Sequence, residues 1–369
     1  MDAEIATINP LLRAKSLGQS IWLDYIQRGM IEDGELARLI AEDGLGGITS
    51  NPVIFEKAIS HSKDYEAAIA AMRGKTSDVA ELYDTLVLKD IGDAADMFRP
   101  MFEESHGAHG FVSHEVSPHL ALDTDGTLSE ARRLWQALDR PNVFIKVPGT
   151  KPGIPAIETL TSEGINVNVT LLFGVNRYEA VAEAYMAGLE KRLEQGLPVS
   201  GVFSVASFFL SRIDHMVDAE LKEKGGEALS FRGKTAIALA RLAYQSYIEI
   251  MESDRWHRLA EAGATPQRLL WASTQPKDPE YPDTKYVDAL IGPETVSTLP
   301  METLEAYREH GDPAPRLEDD IEAARALPGE LAKLGIDVDQ VADKLEEEGI
   351  DKFIKPFDAL QKALAAKLG

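Results

Sequence analysis

The chain has 369 residues, 44% hydrophobic and 27% charged, and contains no cysteine. That composition supplies ample apolar material for a core, and the missing cysteines exclude disulfide scaffolds, thiolate metal sites and cysteine nucleophiles. A formal net charge of -23 opposes general nucleic-acid binding, which needs clustered lysine and arginine against the phosphate backbone.

From Met1 to Ser20 there is no apolar stretch followed by a small-residue cleavage site, and no run nears the roughly 18 apolar residues of a membrane span. A cytoplasmic protein with no membrane partner is expected. Any phosphate on a ligand must then be held by a few local cations against an unfavourable overall field.

Eight short β-like runs follow in order: Ile21 to Tyr25, Gly46 to Ser50, Phe111 to Val116, Val143 to Val147, Ile165 to Phe173, Val202 to Leu210, Arg268 to Ser273 and Glu294 to Thr298. Helical segments separate them. The long connections Pro52 to Gly110 and Ser211 to Gln267 must hold additional helices. Thr127-Leu128-Ser129-Glu130 reads as a capping box, Pro155 opens a helix that Gly164 closes, and Val181, Ala182, Tyr185, Leu189 and Leu193 keep the helix period up to Gly196. From Ile336 to Gly369 a helical tail has Leu345, Ile350, Phe353, Phe357 and Leu360 to bury. Strands alternating with helices predict an α/β fold, a (β/α)8 TIM barrel with additional helices, although a doubly wound open sheet would give similar local signals. Residues 1–369 are expected to form a single barrel domain, with 336–369 a helical C-terminal extension packing on it.

Side chains alternate faces along a strand, so each polar residue can be assigned neighbours. Asn166, Asn168 and Thr170 share one face of the fifth run, against Val167, Val169 and Leu171. An apolar outer face packs on helices, which leaves the polar face looking into the barrel. By the same parity Ser113 pairs with Glu115, Asp24 with Trp22, Phe144 with Lys146, and Ser207 with Phe203, Val205 and Phe209, with Arg212 just beyond. Lys146 interrupts an otherwise apolar strand. It is either a strand-end lysine in water or paired to a carboxylate, or a nucleophile, since burial favours the neutral amine that attacks ketones. Lysine, carboxylates, amides and hydroxyls at one barrel mouth suit imine chemistry on a polyol.

At these residues the chain resembles the transaldolases over nearly its whole length. The landmarks, in order, are Leu23-Asp24, Gly47 to Pro52, Val112 to Ser117, Ile145 to Thr150, Gly164 to Phe173 and Ser207 to Arg212, and the segments Trp271 to Thr274 and Ile336 to Val338 look most like the longer bacterial members. The resemblance implies a cofactor-free transferase of the non-oxidative pentose phosphate pathway. It would move a dihydroxyacetone unit from sedoheptulose 7-phosphate or fructose 6-phosphate to glyceraldehyde 3-phosphate or erythrose 4-phosphate. By that resemblance Lys146 forms the Schiff base, Asp24 takes the C4 hydroxyl proton, and Glu115 shuttles protons through a water that Thr170 also holds. Asn51, Asn168 and Ser207 would bind the three-carbon unit, with Thr49, Ser113 and Phe209 completing the substrate-binding set. Arg212 and Ser273 would hold the phosphate. Where many members carry an arginine, this chain has Gln275, and Lys277 is the expected replacement. No metal is implied, and a monomer or homodimer is expected.

Other readings rank lower. A related class I aldolase would release dihydroxyacetone rather than transfer it, and a barrel without catalysis would serve as a binding module. His106, His109, His114 and His119 cluster as a metal site might, but read better as solvated loop histidines, with His114 facing out of the barrel. Gly233-Lys234-Thr235 is similar to part of a phosphate loop but reads as a helix start, and Asp84, Asp90, Asp93 and Asp96 read as solvated faces.

Overall fold

A computed structural model describes residues 9–368; residues 1–8 and 369, included in the single-domain expectation, lie outside the described residues. Eight parallel strands pair in chain order: β1 (Gln19–Leu23), β2 (Gly47–Ile48), β3 (Phe111–Glu115), β4 (Val143–Pro148), β5 (Val167–Leu172), β6 (Ser204–Phe209), β7 (Gln267–Ala272) and β8 (Thr295–Leu299). Strand β8 bonds back to β1 and closes the barrel, which excludes the open doubly wound sheet. Outward-facing Val143, Ile145, Val147, Val167 and Val169 are fully buried. Burial on both faces is what makes parallel strands read as nearly continuous apolar runs.

Aromatic rings plug the N-terminal half of the interior. Phe111 and Phe144 stack 4.4 Å apart, Trp22 lies 6.2 and 6.1 Å from them, and Phe203 meets Phe111 edge-on at 5.2 Å. Gly47 admits the indole, since a Cβ there would stand 2.7 Å from the Trp22 ring and 2.6 Å from the Phe111 carbonyl oxygen. With that end filled, a ligand can enter only at the C-terminal mouth, as in other barrels of this kind.

Several local expectations are corrected. Alternation in β5 breaks at Leu171, which has a φ of 65° where the register with β6 shifts between Val169 and Leu172. This bulge brings Leu171 against Gly349 of the C-terminal helix. Asn166 does not reach the mouth; its amide donates to the Pro141 and Val143 carbonyls and accepts from Phe203 N, tying the strand starts together. The helix Thr124–Leu138 begins a turn before the expected capping box, because Asp123 caps it by accepting from Gly126 N and the Thr127 hydroxyl donates to Leu120 O. Pro155 falls in the first turn of Gly153–Glu163, which Gly164 ends in the left-handed conformation, and Thr235 begins the helix Thr235–Met251. Asp90 is not solvated: at 1% exposure it accepts from Arg28 and from the Tyr65 hydroxyl, both at 2.8 Å.

The tail forms one helix, Val338–Leu368, with Leu345, Phe353, Leu360 and Leu364 buried. It lies along Pro52–His61 and Val79–Glu104 and across the end of β5. Ile350 and Phe357 are only partly covered. Among the described residues no helix is long and apolar enough to cross a membrane.

Candidate active site

Strand parity carries Lys146 inward from β4, where it is 4% exposed. Its Nζ donates to the Ser50 carbonyl at 3.3 Å and stands 3.5 Å from Glu115 Oε2 on the adjacent strand β3. Of the alternatives open for this lysine, an ammonium in bulk water is therefore excluded. Burial raises the Glu115 carboxyl above its ordinary range, with the Lys146 charge opposing the rise. Asp24, just past β1, is also raised by burial, against Lys146 and a hydrogen bond from Thr49 Oγ1 at 2.7 Å. Thr49 in turn shares a 2.6 Å hydroxyl contact with Thr298 on β8.

Asn168 is clamped across the barrel. Its Nδ2 donates to Ser113 Oγ at 3.0 Å and its Oδ1 accepts from Ser207 Oγ at 2.7 Å, so its rotamer is set from both sides. Asn51 is the N-cap of Pro52–His61, where Oδ1 accepts from Val53 N and Ile54 N, leaving the amide nitrogen to face the cavity. Glu115 Oε2 and Thr170 Oγ1 are buried with no hydrogen-bond partner among the described residues. Each is left free to bond a water.

A third group surrounds the start of the helix Ser211–Lys224, which follows β6 directly. Arg212 sits in its first turn, where Ser211 N donates to Ser273 O at 3.0 Å and Ile213 N to Leu210 O at 2.9 Å, and its buried Nη1 has no partner among the described residues. Ser211 and Ser273 hydroxyls meet at 2.8 Å, and Ser273 holds a φ of 55°, a conformation that persists where surrounding contacts enforce it. Lys277 and Gln275 line the same cavity from the loop after β7. Burial and the nearby Arg212 charge lower Lys277 from its ordinary value. Asp278 beside it is already paired with Lys222 and Arg232, each at 2.8 Å, so it does not neutralise Lys277.

These groups border one cavity of 1310 Å³. Asp24, Thr49, Asn51, Lys146, Ser207, Phe209, Arg212, Ser273 and Lys277 line it. Ser113, Glu115, Asn168 and Thr170 stand on the strands either side of β4, with Glu115 and Asn168 in register with Lys146. Sequence reasoning missed Thr298, His215 and the tail residues Leu345, Glu348, Lys352 and Phe353, which also line the cavity. Parity along the eighth run would have found Thr298; the tail carried no signal beyond amphipathicity.

The histidine reading is corrected in part. His106 and His119 are exposed. His109 instead contacts Ser20 Oγ at 2.8 Å and is lowered to about 4, chiefly by burial. His114 does face out of the barrel, but into the packed layer, 6.0 Å edge-on to Phe55, and burial lowers it to about 3. Among the described residues no group of three acidic or histidine side chains converges to hold a metal ion.

A lysine kept dry beside a carboxylate at the ligand-bearing end of a parallel barrel suits imine formation with a ketone, the chemistry of the class I aldolases. Comparison with known proteins narrows that class. Residues 21–364 match the family described as Transaldolase/Fructose-6-phosphate aldolase, and the chain belongs to it. A transaldolase of Thiobacillus denitrificans is 51% identical over 354 residues, covering 96% of this chain and 98% of that one. A transaldolase of Trichodesmium erythraeum is 48% identical over 371 residues, covering 98% of each.

Proposed function

We propose that the chain is a cytoplasmic transaldolase that carries a dihydroxyacetone unit from sedoheptulose 7-phosphate or fructose 6-phosphate to glyceraldehyde 3-phosphate or erythrose 4-phosphate. The observation that carries this reading is Lys146, buried and 3.5 Å from a carboxyl that burial has made a ready proton carrier. The amine adds to the substrate ketone, and the carbinolamine loses water with a proton delivered from Glu115 through the water it shares with Thr170. Asp24 takes the proton of the C4 hydroxyl. The C3–C4 bond breaks, its electron pair moves into the protonated imine, and the aldose phosphate leaves. The resulting enamine attacks the acceptor aldehyde, and hydrolysis of the new imine frees Lys146.

The imine is its own electron sink, so no cofactor enters. Asn51, Asn168 and Ser207 face the three-carbon unit, with Ser113 and Thr49 holding Asn168 and Asp24 in place. Arg212, Ser273 and Lys277 take the phosphate. Relatives named transaldolase at about half identity favour transfer over release. The test is borohydride reduction with fructose 6-phosphate followed by peptide mass mapping. The expected adduct is on Lys146 and vanishes in Lys146→Met; an adduct on another lysine, or none in the wild type, sinks the reading.

A further inference from the structure

At Phe353 the C-terminal helix sets an aromatic ring, 3% exposed, between Lys146 and Arg212. The ring centroid is 5.9 Å from Lys146 Nζ and 5.8 Å from the Arg212 guanidinium carbon, while Phe209 meets the same guanidinium at 5.6 Å. Two backbone features seat the ring. Gly349, one turn earlier, lies so close to the barrel that a Cβ on it would meet Leu171 Cδ2 at 2.8 Å, and Leu171 reaches that point only because of the β5 bulge. The ring therefore stands over the open side of Lys146, while Glu115 stands beside the lysine from within the barrel.

We propose that Phe353 is a specificity-determining residue that holds the three-carbon unit on Lys146 until an acceptor aldose arrives. The proposal rests on the transfer reading above. Once the C3–C4 bond has broken, the enamine has two fates. Attack on an aldehyde gives transfer. Alternatively, water protonates the carbanionic carbon, a hydroxyl oxygen adds to the iminium carbon, and the carbon–nitrogen bond breaks with its electron pair returning to Lys146. One water is consumed and free dihydroxyacetone leaves. The second fate needs solvent at the open face of the enamine, and the Phe353 ring occupies that face. Its π-surface also favours the protonated imine nitrogen, which a shape-matched aliphatic side chain would not.

The experiment measures free dihydroxyacetone against product transferred, with fructose 6-phosphate as donor and erythrose 4-phosphate as acceptor. In Phe353→Ala the release-to-transfer ratio rises by roughly tenfold, the order expected when a water-excluding contact is opened, while the borohydride adduct still forms on Lys146. Phe353→Leu gives a smaller rise in the same direction. Leu360→Ala loosens the same helix away from the mouth and leaves the ratio unchanged. An unchanged ratio in Phe353→Ala or, should that variant not fold, in Phe353→Leu overturns the proposal, as does an equal rise in Leu360→Ala. A wild-type chain that forms no adduct refutes the transfer reading instead.

Discussion

Lys146→Met removes one charge from a buried triad and keeps most of the side-chain volume. At the observed 3.5 Å and an effective dielectric constant of about 20, the attraction to Glu115 is about 332/(20 × 3.5), or roughly 5 kcal/mol. That loss is not realised in full. Burial already raises the native pKa values of Glu115 and Asp24 above their unfolded values, so the native state holds these protons more tightly and each carboxyl lowers stability as pH rises. Without the lysine both native values rise further. The deficit of the variant is then capped, for each carboxyl, at about 1.4 kcal/mol per pH unit above an unfolded value near 4. Removing the ammonium also removes its own burial cost. The expected result is a variant about 3 kcal/mol less stable than the wild type at pH 8 and within about 1 kcal/mol of it at pH 5. Urea unfolding at the two pH values measures this. Lys146→Met/Glu115→Gln should recover most of the loss at pH 8. A stability difference that does not change with pH would refute the buried pairing.

Lys277→Ala should raise KM for fructose 6-phosphate about fivefold to tenfold with a smaller change in kcat, as expected for one charge-assisted contact at a partly exposed site. Unphosphorylated fructose should be unaffected; an unchanged KM for the phosphate ester removes Lys277 from the phosphate site. His114 is held near pKa 3 in the native state against an ordinary value of 6.5, so the unfolded chain takes up the proton first and stability falls as pH drops through that window. At pH 5 the cost is about 2 kcal/mol, which His114→Leu should abolish. Parallel unfolding curves for wild type and variant at pH 7 and 5 decide it, and an equal acid loss in both is the contrary outcome.

Much of this protein can be read from local pattern. Period-2 alternation put Lys146, Glu115, Asn168 and Ser207 on inward faces because a parallel strand buried on both sides has only two directions for a side chain. The order of βα units implied the parallel topology, since each crossover needs a covering helix. Parity failed where backbone irregularity enters. At Leu171 a single left-handed residue shifts the register, and Asn166 lies so near the strand start that its inward amide meets neighbouring carbonyls instead of a ligand. Asp90 and His114 failed for another reason. Exposure depends on which helix packs over a residue, and charge type alone does not reveal that Arg28 and Tyr65, or Phe55, lie across from it.

The sequence by itself determined the succession of eight βα units, most of the inward set and the lysine that distinguishes it, because these follow from short-range geometry repeated along the chain. Only the tertiary structure decided which groups lie 3.5 Å apart, that the barrel closes with its N-terminal half plugged by rings, and that the C-terminal helix returns across the mouth with Phe353. The contact between Lys146 and Phe353 joins residues 207 positions apart. Amphipathic spacing specifies that a helix must bury one face, and the rest of the fold decides what that face covers.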